Sequence, residues 1–176
     1  MSSEKDRMHV IVTLVEDKPG VLFKVTSLIR RRNFNIATIT VGSTEYEGIS
    51  RMTFTIYGNE QELRQVIYQL DKLVEVISIV ALKPDDMVVR ELALIKVALP
   101  NNGLQTEIID KISRYRGHIL DITPRTVTVE LVETPEKIDS FIREIGKVNI
   151  IEIARTGITA VIKGAEPTIK GVGING

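Results

Sequence analysis

Two periodicities alternate along this chain. Residues 8–15 form a short, nearly continuous apolar run, the pattern of a buried strand. A turn at Asp17–Gly20 follows, and apolar residues then fall at 21, 22, 25, 28 and 29, a helical stripe with Lys24, Arg30 and Arg31 opposite. Residues 34–41 predict a strand and 42–48 a hairpin loop. Met52, Phe54 and Ile56 then alternate with Arg51, Thr53 and Thr55, the period of a half-buried strand that ends at Gly58 and Asn59. Leu63, Val66, Ile67 and Leu70 predict a second helix, and 74–82 a fourth strand.

After a polar break, Lys83-Pro84-Asp85-Asp86, the order repeats. Residues 88–99 predict a strand and 100–103 a turn. Ile108, Ile109, Ile112 and Tyr115 predict a helix ended by Gly117. Residues 118–122 and the alternating Val127, Val129 and Leu131 predict two strands. Thr134 and Pro135 have the chemistry of an N-cap and first helical residue. Ile138, Phe141, Ile142 and Ile145 supply the last helical stripe, and 148–154 the last strand. The predicted class is α+β, two tandem βαββαβ ferredoxin-like domains at 1–83 and 84–164, with a tail at 165–176. Each domain is expected to lay two helices on one face of a four-stranded antiparallel sheet, so the other face needs a cover. From Arg155 the chain turns rich in glycine and threonine, which predicts a loose arm.

Composition narrows the function. Lys plus Arg and Asp plus Glu both number 23, so net charge draws the chain toward neither nucleic acid nor anionic membrane. Cysteine is absent, which removes disulfides, thiol nucleophiles and thiolate metal sites. No apolar run reaches the ~18 residues of a membrane helix, and the charged first octet lacks the apolar core of a signal peptide. These features predict a soluble, cytoplasmic protein.

The stretch EDKPGVLFKV carries the candidate chemistry. Pro19 fixes one torsion of the turn, and Gly20 lets a partner atom approach the backbone closely. The first N–H groups of the helix, near Val21, Leu22 and Phe23, lack helical acceptors and carry the positive end of the dipole, which suits a carboxylate. Asp17 can accept from an ammonium, and Asn35 can bind either end of a zwitterion. Val21, Leu22 and Ile36 would suit an aliphatic side chain. An ordinary Pro-Gly turn, with Asn33 and Asn35 as plain helix-end residues, accounts for the same letters.

The stretch LVEDKPGVLFKVTSLIRRRNFNI, followed by VGSTE, SRMT and QLDKLVEVISI, then by RELALIKV, RGHILDITP and IIEIARTG, resembles the small regulatory subunits of acetolactate synthase (acetohydroxyacid synthase). The resemblance spans both halves. It implies an ACT domain in the N-terminal half and a ferredoxin-like domain after it. It implies a subunit without catalytic residues or a bound metal. Such a subunit binds the large catalytic subunit, activates it and confers feedback inhibition by valine or another branched-chain amino acid. Thiamine diphosphate, magnesium and FAD are then expected on the catalytic subunit, with no cofactor on this chain. A homodimer through the ACT domains is implied, with the effector between protomers at Asp17, Gly20, Val21, Leu22 and Asn35. Three positions depart from the family pattern. Asn33 replaces a glycine, Asp17 an asparagine, and Phe23 a smaller residue. A free-standing ACT sensor of amino acids, acting on another partner such as a transcriptional regulator, is the alternative.

Other features read as structural. Arg30-Arg31-Arg32 complements a helix C-terminus. An RNA-recognition sheet needs stacking aromatics on one face, whereas Phe54 and Tyr57 fall on opposite faces. His9 and His118 lack metal-ligand spacing, and GVGING lacks the strand-to-helix setting of a phosphate loop.

Overall fold

The computed structural model describes residues 7–31, 34–99, 104–146 and 149–169. It forms two compact units, one comprising the chain up to Val88 and again from Ile158, the other Val89–Gly157. The predicted turn at 100–103, the cap at Asn33 and the GVGING end lie outside the described residues.

The first unit contains β1 (Met8–Glu16), α1 (Val21–Arg31), β2 (Ile36–Ser43), β3 (Ile49–Tyr57), α2 (Glu60–Leu70) and β4 (Val76–Leu82). Its sheet order is β2-β3-β1-β4, with each neighbouring pair antiparallel. Alternation puts Ile11, Val15, Met52, Phe54 and Ile56 on the face that receives Val21, Val25 and Ile29 of α1 and Leu63, Val66 and Leu70 of α2. Leu22, expected in the buried stripe, is 45% exposed, and Phe23 beside it is 74% exposed. Helix α2 starts at a capping box: Asn59 Oδ1 accepts from the N–H groups of Gln61 and Glu62, and Glu62 Oε2 accepts from Asn59 N–H. The fourth strand begins two residues later than its apolar run, after a turn that leaves Val74 at 91% exposure.

A short 3₁₀ turn at Pro84–Asp86 leads into the second set of elements. These are β5 (Met87–Ala98), α3 (Leu104–Arg114), β6 (His118–Ile122), β7 (Thr126–Glu133), α4 (Pro135–Ile145) and β8 (Ile150–Arg155), in sheet order β6-β7-β5-β8. Ala93, Ile95, Val97, Val127, Val129 and Leu131 meet Ile108, Ile112, Ile138, Phe141 and Ile145 in its core. Tyr115 meets Phe141 edge-on with ring centroids 5.4 Å apart. Glu91, 3% exposed, accepts two bonds from Arg155, at 2.9 and 2.6 Å, and Arg155 also donates to Asp139 of α4 at 2.7 Å. Thr134 does precede Pro135 at the start of α4, but its side chain makes no capping bond.

The tail is not a loose arm as far as Ile169. Ile158 and Ala160 are buried, and Thr159–Ile162 forms a further strand, β9. Arg51 Nη2 donates to Ala160 O at 2.5 Å. Lys163 donates its N–H to Asp86 O and its Nζ to Asp85 O, both at 2.8 Å. This returning segment reaches the sheet face opposite the helices, where Leu14 and Arg51 pair across β1 and β3. Its few apolar residues are spaced for an edge strand, so composition alone concealed the docking.

Candidate effector site

Strand β1 ends at Glu16, and the turn that follows is tied to the β2–β3 hairpin by Asp17 N–H donating to Gly48 O at 2.8 Å. Gly20 has φ +87°, the left-handed region that disfavours a side chain. A Cβ there would meet no atom within 4 Å, so the approach to this backbone is open. Val21 N–H donates to Lys18 O at 3.3 Å, and the first helical bond runs from Lys24 N–H to Gly20 O at 3.0 Å. The N–H groups of Leu22 and Phe23 therefore face outward at the positive end of an 11-residue helix. Asp17, Lys18, Pro19 and Gly20 are all exposed.

Charge is arranged around this turn. Lys18 pairs with Glu16 at 2.9 Å, and Lys24 hydrogen-bonds Glu75. That bond from Lys24 holds the Glu75 carboxyl below the usual carboxylate range. Glu16 N–H also donates to Glu75 O at 2.9 Å, so these four residues converge on one end of the sheet. The sequence pattern did not reveal Lys24 or Glu75 as neighbours of the turn, because they meet across 51 residues.

Asn35 and Ile36 lie elsewhere. Ile36 pairs with Ile56, which pairs on its other side with His9, whereas the Gly20 turn follows Glu16. His9 and Glu16 are seven residues apart along β1, about 23 Å at ~3.3 Å per residue. Asn35 is exposed, and Ile36, like Phe34, is half-buried against the core. The chain thus brings Asp17, Gly20, Val21 and Leu22 together and holds Asn35 and Ile36 at the far end of α1. Val21 itself is 4% exposed and belongs to the core, leaving Leu22 and Phe23 as the apolar surface at the mouth.

The remaining residues singled out in the sequence have structural partners. His9 is buried, and its Nε2 donates to Gly58 O at 2.8 Å. His118 is exposed beside Glu130 at 3.7 Å. Among the described residues no three of His, Asp and Glu converge as a metal site, and no helix is long and apolar enough to cross a membrane.

The chain matches two family models, an AHAS small subunit-like ACT domain over residues 11–78 and the small subunit of acetolactate synthase over residues 90–164. It is 45% identical to a probable acetolactate synthase small subunit of Methanothermobacter thermautotrophicus, over 89% of this chain and 94% of that one. It is 41% identical to the acetolactate synthase small subunit of Mycolicibacterium smegmatis, over 89% and 91%. The crystal structure of an acetolactate synthase small subunit from Thermotoga maritima superimposes with a TM-score of 0.84 at 36% identity, covering 91% of this chain and 99% of that one.

Proposed function

Because the chain belongs to the acetolactate synthase small-subunit family, we propose that it is the regulatory partner of a thiamine-diphosphate-dependent catalytic subunit. In this reading it activates that subunit and carries feedback inhibition by valine or another branched-chain amino acid. Thiamine diphosphate, magnesium and FAD reside on the catalytic partner.

The observation that carries the effector reading is the separation of the two half-sites. The Gly20 turn offers amides to a carboxylate, and Asn35 offers an amide group suited to a zwitterion, yet they stand at opposite ends of one sheet. A two-fold dimer that sets two such sheets side by side with opposite polarity brings the Gly20 end of one copy to the Asn35 end of the other. Each dimer then holds two equivalent crevices. The exposed Leu22 and Phe23 face the partner and enclose an aliphatic side chain. Asp17, anionic where an asparagine would be neutral, favours the ammonium group.

Inhibition requires the amino acid to bind one arrangement of the subunits better than the other. A coupling of about 1–3 kcal/mol gives feedback of ordinary strength. Calorimetric titration of valine, leucine and isoleucine into the isolated protein tests the reading, paired with acetolactate assays on the reconstituted holoenzyme. Saturable binding of one of the three, together with stimulation of the catalytic subunit, is expected. No binding of any of them removes the effector site, and no stimulation removes the regulatory role.

A further inference from the structure

The loop that ends α3 breaks a backbone rule. Arg116 has φ +56° and is the one non-glycine with positive φ among the described residues. Its N–H donates to Ser113 O at 3.0 Å and Gly117 N–H donates to Ile112 O at 2.9 Å, the closure that ordinarily places glycine at the left-handed position. The glycine stands one residue later because the core demands it. A Cβ on Gly117 would lie 2.8 Å from Val129 Cγ1, 3.0 Å from Ile112 Cγ2 and 3.1 Å from Leu131 Cδ2. Arginine therefore occupies a conformation that opposes it. Among the described residues its side chain makes no hydrogen bond or ion pair that would offset this.

Arg116 lines a cavity of about 270 Å³ with Arg114, Tyr115, Glu133 and Lys137. Three of these five side chains are cations. Glu133 is already held by Lys137 through both oxygens, at 3.2 and 3.1 Å. Arg114 reaches Glu144 at 3.5 Å, and the Tyr115 hydroxyl donates to the same carboxylate at 2.6 Å. Among the described residues that leaves the exposed Arg116 guanidinium without a counter-charge.

A second element supports the same chemistry independently. Lys137 lies in the first turn of α4, where the helix dipole disfavours a cation. That helix start also lacks the side-chain acceptor that Thr134 would ordinarily supply. The N–H groups of Lys137 and Ile138 already donate to Thr134 O, both at 3.1 Å, and Pro135 has none, so Glu136 N–H is the amide of this first turn left for an anion.

We propose that this cavity is a binding site for a small polyvalent oxyanion of the phosphate type. Arg116 is its principal ligand, Arg114 and Lys137 flank it, and the start of α4 closes one side. Two carboxylates oppose an anion here, Glu133, which Lys137 neutralises, and Glu144, which Arg114 neutralises.

The test uses the full chain, titrated with inorganic phosphate and with pyrophosphate against sodium chloride at matched ionic strength, since general screening acts on every surface charge. Thermal midpoint and the amide resonances of Arg116, Gly117 and Lys137 are read. Phosphate or pyrophosphate should raise the midpoint and move those resonances saturably, while chloride does neither. The variant Arg116→Gly keeps the backbone conformation. It should be at least as stable without anion and bind phosphate at least about tenfold more weakly, the loss of one charge-assisted bond. The proposal is overturned by a phosphate response no greater than that of chloride. It is equally overturned by wild-type affinity in Arg116→Gly, or by a lower midpoint of that variant in the absence of anion, which would make the arginine structural.

Discussion

Gly20 and Asn35 stand at opposite ends of one four-stranded sheet, separated by the length of α1. If both serve one crevice, they do so from different copies. Gly20→Asp and Asn35→Ala should each abolish or weaken valine binding alone. Mixed and re-equilibrated, they form heterodimers in which one crevice is doubly mutated and the other intact. About a quarter of wild-type capacity should return by calorimetry. No recovery on mixing would place both residues in the same crevice of one chain.

Gly20→Ala separates strain from blockage. A Cβ at this position meets nothing within 4 Å, so the expected cost comes from φ +87° alone, about 1–2 kcal/mol by urea denaturation. Gly20→Asp should add little to that cost but remove effector affinity, because it places a carboxylate where the proposed site would take the effector's own.

Arg155 is the counter-charge for a carboxylate that is 3% exposed. Arg155→Met strands Glu91 and should destabilise the Val89–Gly157 unit by about 3–5 kcal/mol. The double variant Arg155→Met/Glu91→Leu should regain most of this. Asp139→Ala removes only the half-exposed partner and should cost under about 1 kcal/mol. Differential scanning calorimetry on the three variants checks the order.

Carboxylates set the acid limb of stability. The hydrogen bond from Lys24 holds Glu75 below the usual range, and that from Lys111 does the same for Glu107. At Glu133 burial opposes ionisation, but Lys137 and Arg90 outweigh it and the carboxyl again lies low. Each folded value is thus below the unfolded one. The stabilisation is complete above the unfolded range and is lost as pH falls through the folded values. Thermal midpoints should hold steady down to about pH 5 and then fall. Lys137→Met should make that fall shallower, and an unchanged acid limb would exclude Glu133 from it.

Gly117→Ala should destabilise the second unit by about 1–3 kcal/mol, since its Cβ would press on Ile112, Val129 and Leu131 from three sides. Chemical denaturation of this variant beside Arg116→Gly would display opposite signs at adjacent positions.

These neighbouring residues also mark the limit of what the letters disclose. Helical stripes and apolar or alternating runs located strands β1 to β8 and the four helices of the repeat, and in most of them burial of one face imposes the period, though β6 is exposed throughout. Gly117 announced the end of α3, but not that Arg116 would take the left-handed torsion; that depends on Val129 and Leu131, which arrive from another strand. Leu22 fits the apolar stripe of α1 by spacing and still faces outward, since helical spacing cannot say how wide the buried stripe is. Asp17, Gly20 and Asn35 were legible as candidates for a charged ligand. Their separation was not, because it follows from β1 and β2 running in the same direction on either side of β3.

The segment after Gly157 has a consequence for how the molecule is made. Ile158 and Ala160 belong to the unit whose first strands emerge some 150 residues before them, and Arg51 waits for the Ala160 carbonyl. Synthesis proceeds from the N-terminus, yet this unit closes last. A nascent chain paused anywhere before Ile158 leaves Arg51 without that acceptor, so the first unit matures only when translation of the second is done.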